Sequence, residues 1–363
     1  MNKNNYCIIM AGGIGSRFWP MSRTSRPKQF IDILGTGETL IQQTVRRFRN
    51  VCPIENVYIV TNEMYRDLIK EQIPALSDSQ ILCEPARRNT APAIAFAAYK
   101  IASENKNANL VVAPSDHIIL KEEEFTTDIL TALKAVSENN WLMTLGIKPS
   151  RPDTGYGYIQ FTKESPYQEE KRIHKVKTFT EKPELDMAKS FISSGDFLWN
   201  SGIFVWSLDS ILKAFETHLS DIHSIFMNGI HNFNTPQEKE FINDTFTKCK
   251  SISIDYGVME KAENVYVIES DFGWSDLGTW GSLYGIRNKD AEGNTTVGKN
   301  VMIYDTKNCI VNVPNNKLVV LEGLDDYIVV ENENALLVIR KQEEQKIRQI
   351  VNDITLEKGD KYI

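Results

Sequence analysis

Histidine and cysteine are scarce in this chain of 363 residues, with five of each. The cysteines, Cys7, Cys52, Cys83, Cys249 and Cys309, are odd in number and no two stand at CxxC spacing. Neither a zinc site nor a disulfide framework is indicated, and the pattern fits reduced thiols in a cytoplasmic protein. His117, His174, His218, His223 and His231 form no metal-ligand pattern. His218 and His223 miss the i, i+4 spacing that shares a helix face. Positive charge is also short: 41 Lys and Arg stand against 48 Asp and Glu, a net charge of −7. With no overall basic field, a general nucleic-acid binder is excluded, so any anionic ligand has to be met by local clusters of Arg and Lys. No apolar run is long enough to span a bilayer. The run Tyr6 to Ala11 is too short for a signal peptide and leads straight into glycines.

The length suggests two domains, one a large α/β unit of about 250 residues and a smaller one appended. In the first half, apolar runs alternate with amphipathic stretches. "YCIIMA" (6–11), "NVYIVTN" (56–62), "ANLVVAPSDH" (108–117) and "WLMTLGI" (141–147) read as strands. Between them, "ETLIQQTVRRF" (38–48), "NTAPAIAFAAYKIASEN" (89–105) and "FTTDILTALKAVSEN" (125–139) read as helices, the second with Asn89 or Thr90 as N-cap and Pro92 in its first turn. Such alternation means a mostly parallel sheet covered by helices, with ligands at the carboxyl ends of the strands. The middle is less regular, with strands at 155–161, 173–183 and 200–207 and helical patterns over 208–248. The stretch 286–300 is polar and glycine-bearing and reads as a domain edge. Short β-rich runs recur after it, as in a small sandwich or a parallel β-helix. "QEEQKIRQIVNDI" at the end reads as a capping helix.

The segment Met10 to Phe30, "MAGGIGSRFWPMSRTSRPKQF", follows the first strand. Gly12, Gly13 and Gly15 let bare backbone N–H groups approach an anion. It is not a P-loop, because the GK[ST] ending is missing, and Phe18 stands where a dinucleotide fingerprint needs its third glycine. Glycines alone would mark an ordinary turn. Arg17, Arg23, Arg26 and Lys28 crowd the same segment, which favours phosphate binding. Asp116 in "PSDH" and Asp276 in "GWSDLGTW" each follow a strand. Either alone would be a turn former; as a pair beside a basic loop they are what Mg²⁺ takes when phosphates supply its other ligands. Lys182, in "FTEKPE", suits a second phosphate or a solvated turn equally well. Gly157 in "GYGYI", Glu181 and Asn200 in "WNSGIF" would suit a sugar, although two plain β segments explain the same residues. Arg87, Arg88, Asn89 and Thr90 in "EPARRNTAPAI" lie at a helix start, where the dipole favours anions or polar edges.

Taken in order, these motifs resemble the sugar-nucleotide pyrophosphorylases over nearly the whole chain, most of all the bacterial mannose-1-phosphate guanylyltransferases. "FWPMS", "RNTAPAI" and "PSDH" carry the resemblance to that branch. It implies an α/β, Rossmann-like nucleotidyltransferase domain with a mixed, mostly parallel sheet over 1–288, and a small left-handed β-helix over 289–363. It also implies transfer of GMP from GTP to mannose 1-phosphate, with Mg²⁺ as cofactor, no nucleic acid or membrane partner, and a homodimer as a reasonable assembly. The length corresponds to the short form without a fused isomerase domain. By the same resemblance, Ala11, Gly12, Gly13, Gly15, Ser16, Arg17, Lys28, Ser115 and Asp116 bind the nucleotide, with Gly12, Gly13, Gly15, Arg17 and Lys28 on its phosphates. Glu84, Arg88, Asn89 and Thr90 line the guanosine pocket. Asp116 and Asp276 bind the metal, and Gly157, Glu181, Lys182, Asn200 and Asp276 take the sugar phosphate. Arg17, Lys28 and Lys182 would be the catalytic cations. The alternatives are the same chemistry on another sugar 1-phosphate or nucleotide, and a non-catalytic nucleotide-binding relative.

Overall fold

The apolar run Asn5–Met10 forms a strand of which only the last residue is not fully buried. Asn109–Pro114 and Val57–Asn62 repeat that pattern, as expected of strands covered on both faces. The computed structural model describes residues 2–363, and the chain divides into two compact units. The first takes the chain up to Gly12, then Gln42–Ser115 and Ile119–Trp274; the second takes Gly13–Ile41, Asp116–Ile118 and Ser275–Ile363.

The first unit is built on a nine-stranded sheet in the spatial order Ile81–Glu84, Val57–Asn62, Asn5–Met10, Asn109–Pro114, Phe197–Ser207, Leu142–Ile147, Val265–Ser270, Ile173–Glu181, Gly157–Phe161. The first four pair in parallel, as do Leu142–Ile147 and Val265–Ser270. Phe197–Ser207 and Ile173–Glu181 run against their neighbours, so the sheet is mixed and mostly parallel. Thr90–Glu104 is a helix whose N-cap, Asn89, accepts a hydrogen bond from Thr90 N at 2.8 Å. Its small residues, Ala91, Ala95 and Ala98, let it lie in the same apolar cluster as Tyr6, Ile8 and Leu110 of the sheet. Helices Leu208–His218, Ser220–Asn228 and Glu238–Lys248 complete that cluster with Phe215, Phe226 and Phe246.

In the second unit, Thr295–Val297, Ile310–Asn312 and Tyr327–Asn332 pair in parallel, and so do Val301–Tyr304 and Val319–Glu322. Successive parallel coils are those of a β-helix; a sandwich would pair its strands antiparallel. Ala335–Arg340 returns antiparallel to Tyr327–Asn332. A 3-10 turn at Lys341–Lys346 then leads into the terminal helix Ile347–Lys358. The basic segment belongs to this unit and contributes to its core. Phe18 is 1% exposed, packs 5.0 Å from the Trp280 ring, and joins Leu277, Ile310, Ile328 and Ile347 in one apolar cluster. This is why an aromatic stands where a glycine would be needed for a dinucleotide fingerprint. Arg23 is likewise turned inward, donating to Asn332 O at 3.1 Å and Asn334 Oδ1 at 2.8 Å, so it ties the basic segment to the β-helix.

Phe18→Ala is therefore expected to lower unfolding free energy by about 3–5 kcal/mol, with Phe18→Leu costing well under half of that. The urea midpoint measures both. Equal, small losses would show that Phe18 is not the anchor of this cluster.

Candidate functional site

In the first unit, the parallel register brings several expected residues to one sheet edge. Met10 pairs with Pro114 and with Val60, and Asn62 pairs with Glu84. Ala11 and Ser115 continue from that edge, with Ser115 N donating to Met10 O at 3.1 Å and Ala11 N to Val60 O at 2.8 Å. Glu84 closes its strand in a buried position, and its Oε2 lies 3.7 Å from where a Cβ on Gly12 would sit. Burial pushes the Glu84 carboxyl up to about 8, and the Arg87 charge opposes this only in part. Its Oε1 has no hydrogen-bond partner among the described residues. Arg88 and Thr90 do something else. Arg88 Nε donates to Phe246 O at 3.0 Å, and Thr90 Oγ1 accepts from Ile254 N at 2.8 Å. Arg88 thus ties the helix start to the last turn of Glu238–Lys248, and Thr90 ties it to the segment that follows.

In the second unit, the organising group is the Lys28 ammonium. It is 4% exposed, and it donates to Asp116 Oδ2 at 2.9 Å, Asp276 O at 2.9 Å and Leu277 O at 2.8 Å. Three donors meet three oxygens, which is what an ammonium needs when taken out of water. Leu277 supports this with a φ of 46°, in the left-handed region that a bulky residue enters only under constraint. Gly15 is required by Lys28 from the other side. Its φ is 64°, and a Cβ there would lie 2.7 Å from Lys28 Cβ. Gln29 Nε2 and Ser22 Oγ donate to Gly13 O and Gly15 O at 3.0 and 2.6 Å, fixing the glycine turn. Ser16 opens the 3-10 turn Ser16–Phe18. Arg17 is half-buried, donates through Nη1 to Gly278 O at 3.1 Å, and leaves Nε without a partner among the described residues. Burial pulls the Asp116 carboxyl up, but the Lys28 charge and then His117 outweigh it and hold the group below the usual aspartate range. Gly278 N donates to Asp276 Oδ1 at 3.0 Å. The structure thus brings Lys28, Asp116 and the Asp276 turn into one knot, and Arg17 to the carbonyl two residues beyond Asp276.

The remaining expected residues gather in the first unit. Gly157 pairs with Glu181 across the sheet, and a Cβ on Gly157 would fall 2.5 Å from Glu181 Oε2 and 3.4 Å from Asn200 Cβ. A side chain there would displace the Glu181 carboxylate. Lys182 has a φ of 47° and donates to Glu181 Oε1 at 2.5 Å. The amide of Asn200 is fixed by Thr144 Oγ1 and Gly202 N, which donate to its Oδ1 at 3.1 and 3.0 Å. Its Nδ2 donates to Asp255 Oδ1 at 2.8 Å. Asp255 went unnoticed in the sequence; the one signal was a carboxylate interrupting the apolar alternation of "SISIDYGVM". Among the described residues no group of three or more His, Cys, Asp or Glu could hold a metal unaided.

A family model for nucleotidyl transferase matches residues 6–293. The chain belongs to the nucleotidyl transferase family. A second model, for a MannoseP isomerase/GMP-like beta-helix domain, matches residues 298–354 of this nucleotidyl transferase. It is 39% identical to a Salmonella montevideo protein named mannose-1-phosphate guanylyltransferase, over 98% of this chain and 75% of the relative. It is 36% identical to the alginate biosynthesis protein AlgA of Pseudomonas aeruginosa, over 96% of this chain and 71% of that one. A solved structure from Thermus thermophilus, described as a mannose-1-phosphate geranyltransferase, superposes with a TM-score of 0.86 at 29% identity, covering 97% of this chain and 99% of that one. No helix among the described residues is long and apolar enough to cross a membrane.

Lys28→Ala leaves the partly buried Asp116 carboxylate and two carbonyls without their donor, so it is expected to cost about 3 kcal/mol of stability, the low end for a broken buried pair. The pH dependence gives a second reading. A carboxyl held below its unfolded value adds stability that is complete above about pH 4 and is lost as pH falls through its folded value. Urea midpoints measured from pH 7 down to 3 should show that loss in the native chain and a smaller one in Lys28→Ala. Parallel curves would contradict the pairing.

Proposed function

We propose that this nucleotidyl transferase transfers GMP from GTP to α-D-mannose 1-phosphate, forming GDP-mannose and releasing pyrophosphate. The observation that carries the reading is the similarity to a mannose-1-phosphate guanylyltransferase along 98% of the chain. The chemistry fits the side chains. An oxygen of the sugar phosphate attacks the α-phosphorus, the α–β phosphoanhydride bond breaks, and its electrons leave on pyrophosphate. The attacking oxygen is already anionic at neutral pH and needs no general base. The obstacle is repulsion between two anions, and it is met by fixed cations and alignment.

In this proposal the N–H groups of Gly12, Gly13 and Gly15, the Ser16 start of the 3-10 turn, and Arg17 hold the β- and γ-phosphates. Ala11 and Ser115 stand at the sheet edge beside the nucleotide. Glu84 takes the base, and Arg88, Asn89 and Thr90 shape that pocket by bracing its wall. Lys182 neutralises the sugar phosphate, with Gly157, Glu181 and Asn200 against the sugar. Lys28 acts by holding the Asp116 and Asp276 turns as one. Those two carboxylates offer hard oxygen donors in a place that their own number cannot close, so substrate phosphates would complete the shell; the donor set fits Mg²⁺. When bound, Mg²⁺ would spread the charge that builds on the phosphate oxygens. The same proposal includes a cytoplasmic location, a homodimer, and a functional division into residues 1–288 and 289–363.

Pyrophosphate release is the test. With mannose 1-phosphate, release is expected with GTP, far less with ATP, UTP or dTTP, and none after chelation. Release with a different nucleotide would overturn the substrate assignment, and no release with any would overturn the reaction. Arg17→Ala is expected to cut turnover by at least about a hundredfold, as for removal of a preorganised charge donor, while the urea midpoint changes little. Asp276→Asn is expected to abolish Mg²⁺-dependent release; activity kept in either variant removes that residue from its role.

A further inference from the structure

We propose that Asp255 is a further recognition residue for the sugar phosphate, accepting a sugar hydroxyl on a carboxylate that Asn200 holds in place. This rests on the assignment of Glu181 and Asn200 to the sugar. Asp255 opens a short π-helical turn, Asp255–Met259, a distortion that concentrates at functional positions. Its Oδ1 accepts from Asn200 Nδ2 at 2.8 Å, and Asn200 Oδ1 in turn accepts from Thr144 and Gly202. The amide therefore has one orientation, and it presents its N–H₂ to the carboxylate.

The backbone is pinned as firmly as the side chain. Ile252 N donates to Arg88 O at 3.2 Å, Ala91 N to Ile252 O at 3.1 Å, and Ile254 N to Thr90 Oγ1 at 2.8 Å. A carboxylate placed this rigidly serves recognition, because an acceptor with one position rejects a hydroxyl in another.

The cost of the placement argues the same way. Burial first, and then the Glu181 charge, push the Asp255 carboxyl up to about 6; a backbone hydrogen bond at Asp255, then Asn200 and Lys182, offset this only in part. Glu260 nearby is raised too, by burial and then by Asp255 and Glu181, with Lys261 opposing. The unfolded carboxyl titrates near 4, so its ionisation destabilises the fold increasingly as pH rises from about 4 to about 6, and fully above that. A group retained for stability alone would not carry this penalty. Two acceptors from Glu181 and Asp255, with the Asn200 amide between, suit a ligand that brings several hydroxyl donors, as a hexose does.

Asp255→Asn keeps the Oδ1 acceptor for Asn200 but removes the charge and turns the second acceptor oxygen into a donor. Calorimetric titration of mannose 1-phosphate, and KM for each substrate, should show affinity for the sugar phosphate about tenfold or more weaker, with KM for GTP within about twofold. The urea midpoint at pH 7.5 should be unchanged or higher. Undiminished sugar-phosphate affinity overturns the proposal. So does a joint loss of both substrates with a lower midpoint, which is the mark of a structural role. Asp255→Ala gives the same comparison without the amide. Titration with glucose 1-phosphate separates this result from the broader reading. A chain that binds another sugar 1-phosphate through Asp255, and releases no pyrophosphate with mannose 1-phosphate, would overturn the guanylyltransferase assignment and uphold Asp255.

Discussion

A buried ammonium is the constraint on which the basic loop depends. Lys28 has lost its water and recovered three oxygens, one from a carboxylate and two from consecutive carbonyls. Each of those oxygens lies on a segment distant in sequence from Lys28. The ammonium therefore sets where the Asp116 turn and the Asp276–Leu277 turn lie relative to the glycines. Leu277 accepts an unfavourable backbone angle to present its carbonyl, and Gly15 is the residue type that lets the lysine stem pass. Removing one partner from a largely buried ion pair costs more than the pair contributes while intact. Such a knot is hard to alter piecemeal, and it holds the Asp116 carboxylate and the Asp276 backbone on one cation.

That arrangement explains why no nucleophilic side chain is required. The reaction joins two phosphates that repel each other, and a protein lowers that barrier with charges fixed before substrate arrives. Arg17, close behind the Asp276 turn, and Lys182, exposed beside Glu181, are cations already oriented by their own partners. In the proposed reaction recognition falls to other groups: the buried Glu84, whose Oε1 has no hydrogen-bond partner among the described residues, and the Asn200–Asp255 amide–carboxylate pair.

The strands and the helix Thr90–Glu104 were legible because buried strands and capped amphipathic helices leave runs and caps that any window shows. The glycine–arginine segment reads as an anion site for the same local reason. Other features depended on contacts far along the chain. Nothing near Arg23 says that it will be spent on Asn332 and Asn334, and nothing near Phe18 says that it will meet Trp280. Lys28 reads as a phosphate-binding cation until its three oxygen partners, two of them backbone, are seen. The choice between sandwich and β-helix turned on strand direction, which short apolar runs do not encode. Asp255 escaped because one acidic residue in an apolar stretch is ordinary until its neighbour is known to be Asn200.

A single displacement at phosphorus driven by fixed charge passes through no covalent enzyme intermediate. GTP carrying a chiral α-thiophosphate, converted with mannose 1-phosphate, reports this through the configuration of the sugar nucleotide formed. Inversion at the α-phosphorus is expected. Retention would require two displacements through a nucleophilic side chain and would rule the single displacement out.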